Sequence, residues 1–334
     1  MPHHEAQNNL LGFRNESLLE VSRYIEKELQ EHQESHFTAL SPDYFHQYYS
    51  GEEVLVGEQS YIYRSYRTWL DLAHRLDCRI LTPKELAHPL VKFTFIKNKS
   101  LASFHDSHSP DPSEKYGTNS EFARLSKLEE PDFLLDYKDA LEQVGIDNGD
   151  TIINLGINSA DEFKLIERIT PSDVFNDITL IGVDHCESAL KKAKEHFCKE
   201  KHMFINQDLG SLNYSELPKA NLLISIGTLQ SSAIHGQEVF RKAFQEGLHK
   251  GASIILGFPN CRYMNGELRY GAKIKNFKKP DLSLLIKDIS YYKKYLQQHK
   301  YEVFIRGKYT LFLCATPRRA KSSSAADRSS ALKT

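Results

Sequence analysis

From Thr151 to Pro317 short apolar runs alternate with helical stretches, and the alternation closes on two apolar runs with only a tight turn between them. The runs at 152–156, 178–183, 202–205, 221–226 and 252–258 read as strands. Amphipathic stretches at 186–197, 235–248 and 283–298 read as the helices between and after them. Strands that alternate with helices pair in parallel, because each crossover must carry the chain back along a face of the sheet. The last two runs, 301–306 and 309–316, flank Arg306-Gly307-Lys308. That turn is too short for a crossover, so the two must pair antiparallel. The pattern predicts an α/β, Rossmann-like domain: a mostly parallel seven-stranded sheet with a C-terminal antiparallel hairpin and helices on both faces. With 334 residues, 40% of them hydrophobic, the chain can bury such a core.

Upstream, helical spacing of apolar residues recurs over 16–33, 60–76 and 129–144. Tyr63, Tyr66, Leu70 and Ala73 form one stripe, with Trp69 beside it. Residues 1–15 read as a flexible N-terminus, 16–140 as a mainly helical extension, 141–317 as the α/β domain and 318–334 as a disordered tail poor in apolar residues. Residues 97–120 read as a surface loop, rich in Ser, Asp, Pro and Lys. His105 and His108 lie there without a third ligand, so no metal site is expected. The five cysteines show no CxxC spacing and read as reduced thiols, which points to a cytoplasmic protein. The first residues have no apolar core of a signal peptide, and no apolar run is long enough to span a membrane. A net charge of −1 argues against broad, charge-driven binding to nucleic acid.

The strand ends carry a more specific pattern. Strand one runs into Asn154-Leu155-Gly156-Ile157-Asn158-Ser159-Ala160-Asp161. Strand two ends in Ile181-Gly182-Val183-Asp184, just before a helix, and Asn206-Gln207-Asp208-Leu209 follows strand three. Together with the closing hairpin, these pieces resemble the class I S-adenosylmethionine-dependent methyltransferases over residues 141–317. The resemblance implies S-adenosyl-L-methionine as cofactor. It implies Asn154, Gly156, Asn158 and Asp161 around the methionine part, Asp184 on the ribose hydroxyls, and Asp208 with Leu209 at the adenine. Ser225 and Gly227, at the end of strand four, complete the cofactor side. The sequence departs from the family pattern in having Asn154 in place of an acid, and Asn158 and Ala160 in place of glycines. Asn tolerates left-handed backbone well, which suits Asn158 to its place. A dinucleotide fold would need more glycines, and Asp161 would repel a pyrophosphate.

Open α/β sheets do their chemistry beyond the carboxyl ends of the strands. Thr228, after strand four, and Asn260 with Tyr263, after strand five, are therefore the candidates to orient a methyl acceptor. Gln230 and His235 compete for that role, and residues 259–276 read as a long functional loop. The expected activity is methyl transfer to a small molecule or a protein side chain. Two alternatives stand beside it. One is an RNA methyltransferase with a basic strip of Arg64, Arg67, Lys92, Lys97 and Lys99, to which Arg318, Arg319 and Lys321 add; Tyr61, Tyr63, Tyr66 and Trp69 could stack a base there, although their helical spacing reads first as core packing. The other is a non-catalytic module that keeps the fold.

Overall fold

The computed structural model describes residues 10–44, 47–98, 114–231, 233–264, 266–271 and 282–318. The chain forms two compact units, Met1–Leu101 and Ala102–Thr334.

The first unit contains α1 (Leu18–Glu31), β1 (Glu34–Leu40), β2 (Glu53–Val56), β3 (Gln59–Ile62), α2 (Tyr66–Arg75), β4 (Cys78–Ile80), β5 (Lys84–Glu85) and β6 (Leu90–Lys97). It is not the mainly helical extension expected from the sequence. β6 is the centre of a four-stranded antiparallel sheet with β1, β4 and β5, and β2–β3 is a separate hairpin. The reason is legible in β6 itself: Val91, Phe93 and Phe95 alternate with Lys92, Thr94 and Ile96, and only the first set is buried. These side chains pack with Phe37, Trp69 and the α1 residues Val21 and Ile25. Residues 59–62 belong to a strand, so the second helix starts six residues later than its apolar spacing suggests. Of the proposed stacking aromatics, Tyr61, Tyr63 and Trp69 are core residues. Arg64 is also buried, donating to the Glu16 carbonyl and lying over the Trp69 ring, and the Lys97 ammonium binds the Leu29 carbonyl. The basic strip thus loses two of its members to structural bonds, and Lys99, Arg319 and Lys321 lie outside the described residues.

The second unit contains α3 (Pro131–Val144), β7 (Thr151–Leu155), α4 (Asp161–Ile169), α5 (Ser172–Asp177), β8 (Thr179–Asp184), α6 (Glu187–His196) and β9 (Met203–Asn206). β10 (Ala220–Ile226), α7 (Gly236–Lys242), β11 (Leu248–Pro259), β12 (Cys261–Met264) and β13 (Glu267–Tyr270) follow, then α8 (Ser283–Gln298), β14 (Tyr301–Gly307) and β15 (Thr310–Pro317). Seven strands form one sheet in the order β14-β15-β11-β10-β7-β8-β9. The first five in sequence are parallel, whereas β15 is antiparallel to both β11 and β14. This is the architecture expected, with every strand within a few residues of its predicted bounds. The central strands are apolar because both faces are covered. One face packs Ile152, Leu222 and Ile224 against α3 and α4. The other packs Ile153, Leu223 and Ile254 against α7 and α8. Gly307 turns the last hairpin with φ +110°, and a Cβ there would sit 1.9 Å from the Thr310 carbonyl oxygen.

The segment after strand five is not a plain loop. β12 and β13 form a hairpin in which Arg262 faces Arg269 and Tyr263 faces Leu268. Asn265-Gly266 separates the two runs, a two-residue hairpin signature that length alone concealed. Residues 272–281, and with them the rest of the predicted loop, lie outside the described residues, as do His105 and His108. Among the described residues no helix is long and apolar enough to cross a membrane. Nor, among them, do three or more His, Cys, Asp or Glu side chains gather as for a metal ion.

Candidate functional site

The turn after β7 is wound in the left-handed region at three places: Gly156 at φ +78°, Asn158 at +48° and Ala160 at +64°. These are the positions where a glycine-rich loop would carry glycines. A Cβ on Gly156 would meet the Thr228 Oγ1 at 2.0 Å, so the strand-one and strand-four turns touch there. Gly227 beside it lies under Pro259, which brings the end of β11 to the same edge.

Asp184 locks the turn to β8. Its carboxylate accepts from the Asn158 N–H at 2.8 Å and from the Cys186 N–H at 3.0 Å, and the His185 Nδ1 lies 3.5 Å away. A carboxylate has about four lone-pair sites, so the helix-capping role and a ligand role are compatible. The Asn158 side chain holds Ser159 through Oδ1 and donates from Nδ2 to the Tyr116 carbonyl at 2.9 Å.

Asn154 is the anomaly. It is 1% exposed, and neither its Oδ1 nor its Nδ2 has a hydrogen-bond partner among the described residues. A buried amide in that condition costs about 1–3 kcal/mol. Ile152 and Asn154 share a strand face, and Ile152 packs with Phe163 and Ile166 of α4. The amide therefore lies on the face covered by α4, two residues before the Gly156 turn.

Other predicted residues are engaged within the protein. The Ser225 hydroxyl donates to the Leu155 carbonyl at 3.1 Å, stitching β10 to β7. Asp161 pairs with Lys164 at 2.8 Å. Asp208 closes an Asx-type turn by accepting from the Gly210 N–H at 2.8 Å. Leu209 is a core residue on the α7–α8 face. Asp208 does line a cavity of about 150 Å³ with Ala233, His235 and Glu238. A wider one of about 440 Å³ lies between Glu114, Ser188, Lys191 and Asn206.

Asn260 is 4% exposed. Its Nδ2 donates to the Lys308 carbonyl at 2.9 Å, while its Oδ1 has no partner among the described residues. The Oδ1 acceptor is thus left for a ligand. Burial pushes the Cys261 thiol up to about 12, with Lys127 opposing and Glu130 adding to the shift. That thiol stays protonated at neutral pH. Burial likewise raises the Tyr263 phenol, helped by Cys261 and Glu130.

Sequence reasoning took residues 114–120 as part of a surface loop and missed the bonds they make. Glu114 accepts from the Ser188 N–H at 3.2 Å and from its hydroxyl, and the Thr118 N–H donates to the same hydroxyl at 3.0 Å. With Tyr116 bonded to Asn158, this stretch lies directly on the turn and on the start of α6. Further along, Lys127 pairs with Glu162 at 3.6 Å. No local sequence signal marks these contacts, because their partners are distant in the chain.

No protein-family model and no curated protein sequence matches the chain. Solved structures do show likenesses. One is a SAM-dependent methyltransferase from Aquifex aeolicus, with TM-score 0.41 and 12% identity over 59% of this chain and 98% of that one. Another is magnesium protoporphyrin IX methyltransferase from Synechocystis PCC 6803 with bound SAM, at TM-score 0.37 and 14% identity over 61% and 88%. A third is a TehB-like SAM-dependent methyltransferase from Corynebacterium glutamicum, at TM-score 0.36 and 12% identity over 55% and 87%. The fold rests on the chain's own topology: five parallel strands, a final antiparallel pair inserted beside β11, and a left-handed turn after the central strand. The second unit has the class I methyltransferase fold.

Proposed function

We propose that the protein is an S-adenosyl-L-methionine-dependent methyltransferase acting on a small molecule or a protein side chain. The observation that carries this reading is the unsatisfied amide of Asn154, buried beside the Gly156 turn. Bound there, the cofactor would supply an electrophilic methyl group. Asn154 offers one acceptor and one donor to a methionine end, which carries both an ammonium and a carboxylate. Asn158 and Ala160 shape the backbone of the turn. Asp184 keeps acceptor capacity for two ribose hydroxyls after binding Asn158 and Cys186. Asp208, with Leu209 behind it, is the candidate for the adenine edge.

On the acceptor side Thr228 fills the space over Gly156, and the free Oδ1 of Asn260 can take an N–H or O–H of the acceptor. Tyr263 keeps its proton and so acts as a donor that orients rather than as a base. Cys261 is no nucleophile, since burial holds it as the thiol. These groups position an acceptor in line and exclude water, which is what a direct displacement needs.

The test is incubation of cell extracts with the protein and isotopically labelled methyl donor, followed by mass spectrometry of metabolite, protein and RNA fractions. Label in the metabolite or protein fraction is expected. Label in RNA alone would replace the proposed acceptor class, and no transfer to any fraction would contradict the proposal.

A further inference from the structure

β14 ends the seven-stranded sheet, with β15 on one side and no strand on the other among the described residues. Its 7 residues pair with β15 in unbroken register, from Tyr301 opposite Pro317 to Gly307 opposite Leu311. One step beyond that register the Arg318 N–H donates to the Lys300 carbonyl at 3.0 Å. Alternation along an antiparallel ladder then gives β15 the backbone groups of Glu302, Phe304 and Arg306. Those of Tyr301, Val303, Ile305 and Gly307 point off the open edge. Pro317, opposite Tyr301, fits this assignment because it has no N–H to give. A protein that keeps such an edge to itself blunts it with a bulge, a proline or lysines. β14 has none of these, and it exposes Phe304 (41%) and Ile305 (40%).

The side chains of this edge are complementary to themselves. Arg306 donates to the Gln143 Oε1 and lies 3.6 Å from Asp139, both on α3, so Glu302, Phe304 and Arg306 share the α3 face of the sheet. Val303 packs with the core on the α8 face, and Ile305 shares that face. Glu302 is exposed and makes no ion pair among the described residues. We propose that β14 is a homodimer interface, pairing antiparallel with β14 of a second copy about a two-fold axis at Phe304. In this register Val303 and the partner's Ile305 each donate to and accept from the other through their outward backbone groups. Phe304 meets the partner's Phe304. Glu302 faces the partner's Arg306, and the two-fold repeats that pair on the other side of the centre. A guanidinium carries five donors, so Arg306 can serve α3 and the partner together. The two neighbouring registers that also match outward groups set Phe304 against Glu302 or against Arg306, so charge selects this one. A like-charged juxtaposition, Lys300 with the partner's Lys308, falls beyond the strand ends, where Asp132 already lies 3.4 Å from Lys308. The pairing joins two sheets into one and covers the apolar edge.

Sedimentation velocity of the full chain over a dilution series tests this. The wild type should sediment as a dimer. Glu302→Arg and Arg306→Glu, each alone, set like charges opposite one another on both sides of the two-fold. Each should raise the dimer dissociation constant at least about tenfold. An equimolar mixture of the two variants should dimerise again, because both charge pairs across a mixed seam are once more opposite in sign. Val303→Pro removes an outward N–H that β15 does not use, so it should give a monomer with an unchanged circular dichroism spectrum. A wild type that is monomeric at every concentration overturns the proposal. So does a dimer that either Glu302→Arg or Val303→Pro leaves intact, since the contact then lies elsewhere. Charge-reversed variants that stay monomeric when mixed overturn the register and the interface with it. Should Arg306→Glu fail to fold for want of its α3 bonds, the wild type and Glu302→Arg still decide, because Glu302 makes no ion pair within the described chain.

Discussion

Replacing Asn154 by Val should make the protein more stable and less able to bind its cofactor. The amide is 1% exposed with both polar atoms unsatisfied among the described residues, a condition that costs about 1–3 kcal/mol. Val removes those atoms at similar volume and suits a central strand. Misfit in shape offsets up to about 1 kcal/mol of the gain, leaving a net stabilisation of roughly 1–2 kcal/mol. For a folding unit of 150–250 residues each kcal/mol moves Tm by about 2–4 °C, so the ligand-free variant should melt roughly 2–8 °C higher. S-adenosylhomocysteine at a hundred times its Kd should add about 2.7 kcal/mol to the wild type. It should add little to the variant, which has lost both contacts. Scanning calorimetry is the suitable assay, because the single Trp, Trp69, lies in the first unit and its emission would report on that unit. A variant that melts lower than the wild type and keeps its ligand shift would refute the reasoning. The amide would then be an ordinary core residue.

Asp184→Ala should weaken cofactor binding at least about tenfold, since each hydrogen bond to a charged group is worth about 1.5–3 kcal/mol. It should also lower Tm, because the Asn158 and Cys186 N–H groups lose their acceptor; unchanged affinity by titration would remove Asp184 from the site. Gly156→Ala should destabilise strongly through its collision with Thr228 and its φ of +78°. In a Thr228→Gly background only the backbone strain of about 1–2 kcal/mol remains, and simple additivity in denaturant melts would disprove the contact. His202 has its pKa lowered to about 4 by burial and by Lys199 and Lys201, and its Nδ1 accepts from the Leu180 N–H. The unfolded chain therefore binds a proton near pH 6.5 that the folded chain refuses until about pH 4. Stability is full above pH 6.5 and should fall by on the order of 2–3 kcal/mol between those two values. His202→Gln, which can still accept from Leu180, should flatten the slope measured by urea melts.

The sheet was legible because its central strands are buried on both faces and read as unbroken apolar runs, as in TIINL and NLLISI. The closing hairpin was legible because Arg306-Gly307-Lys308 is too short a link for a crossover. Asn158 could be placed in left-handed backbone from its residue type. Ala160 could not be so placed from its own chemistry, since nothing local favours φ +64° in alanine, and its conformation is imposed by the turn. The first unit was misread although the alternation through Val91, Phe93 and Phe95 was visible, because helical stripes on either side of it dominate the pattern. The site's most informative contacts lay beyond reach for a physical reason. Glu114 meets Ser188 across 74 residues, and the orphaned state of Asn154 exists only once α4 covers it. Sequence periodicity reports local conformation, and neither feature is local.

Isothermal titration of the purified chain with S-adenosylhomocysteine, run beside Asp184→Ala, tests the central claim most directly. The account predicts saturable binding at one site per chain and a variant weaker by at least about tenfold. No binding by the wild type, or equal binding by the two proteins, would contradict it.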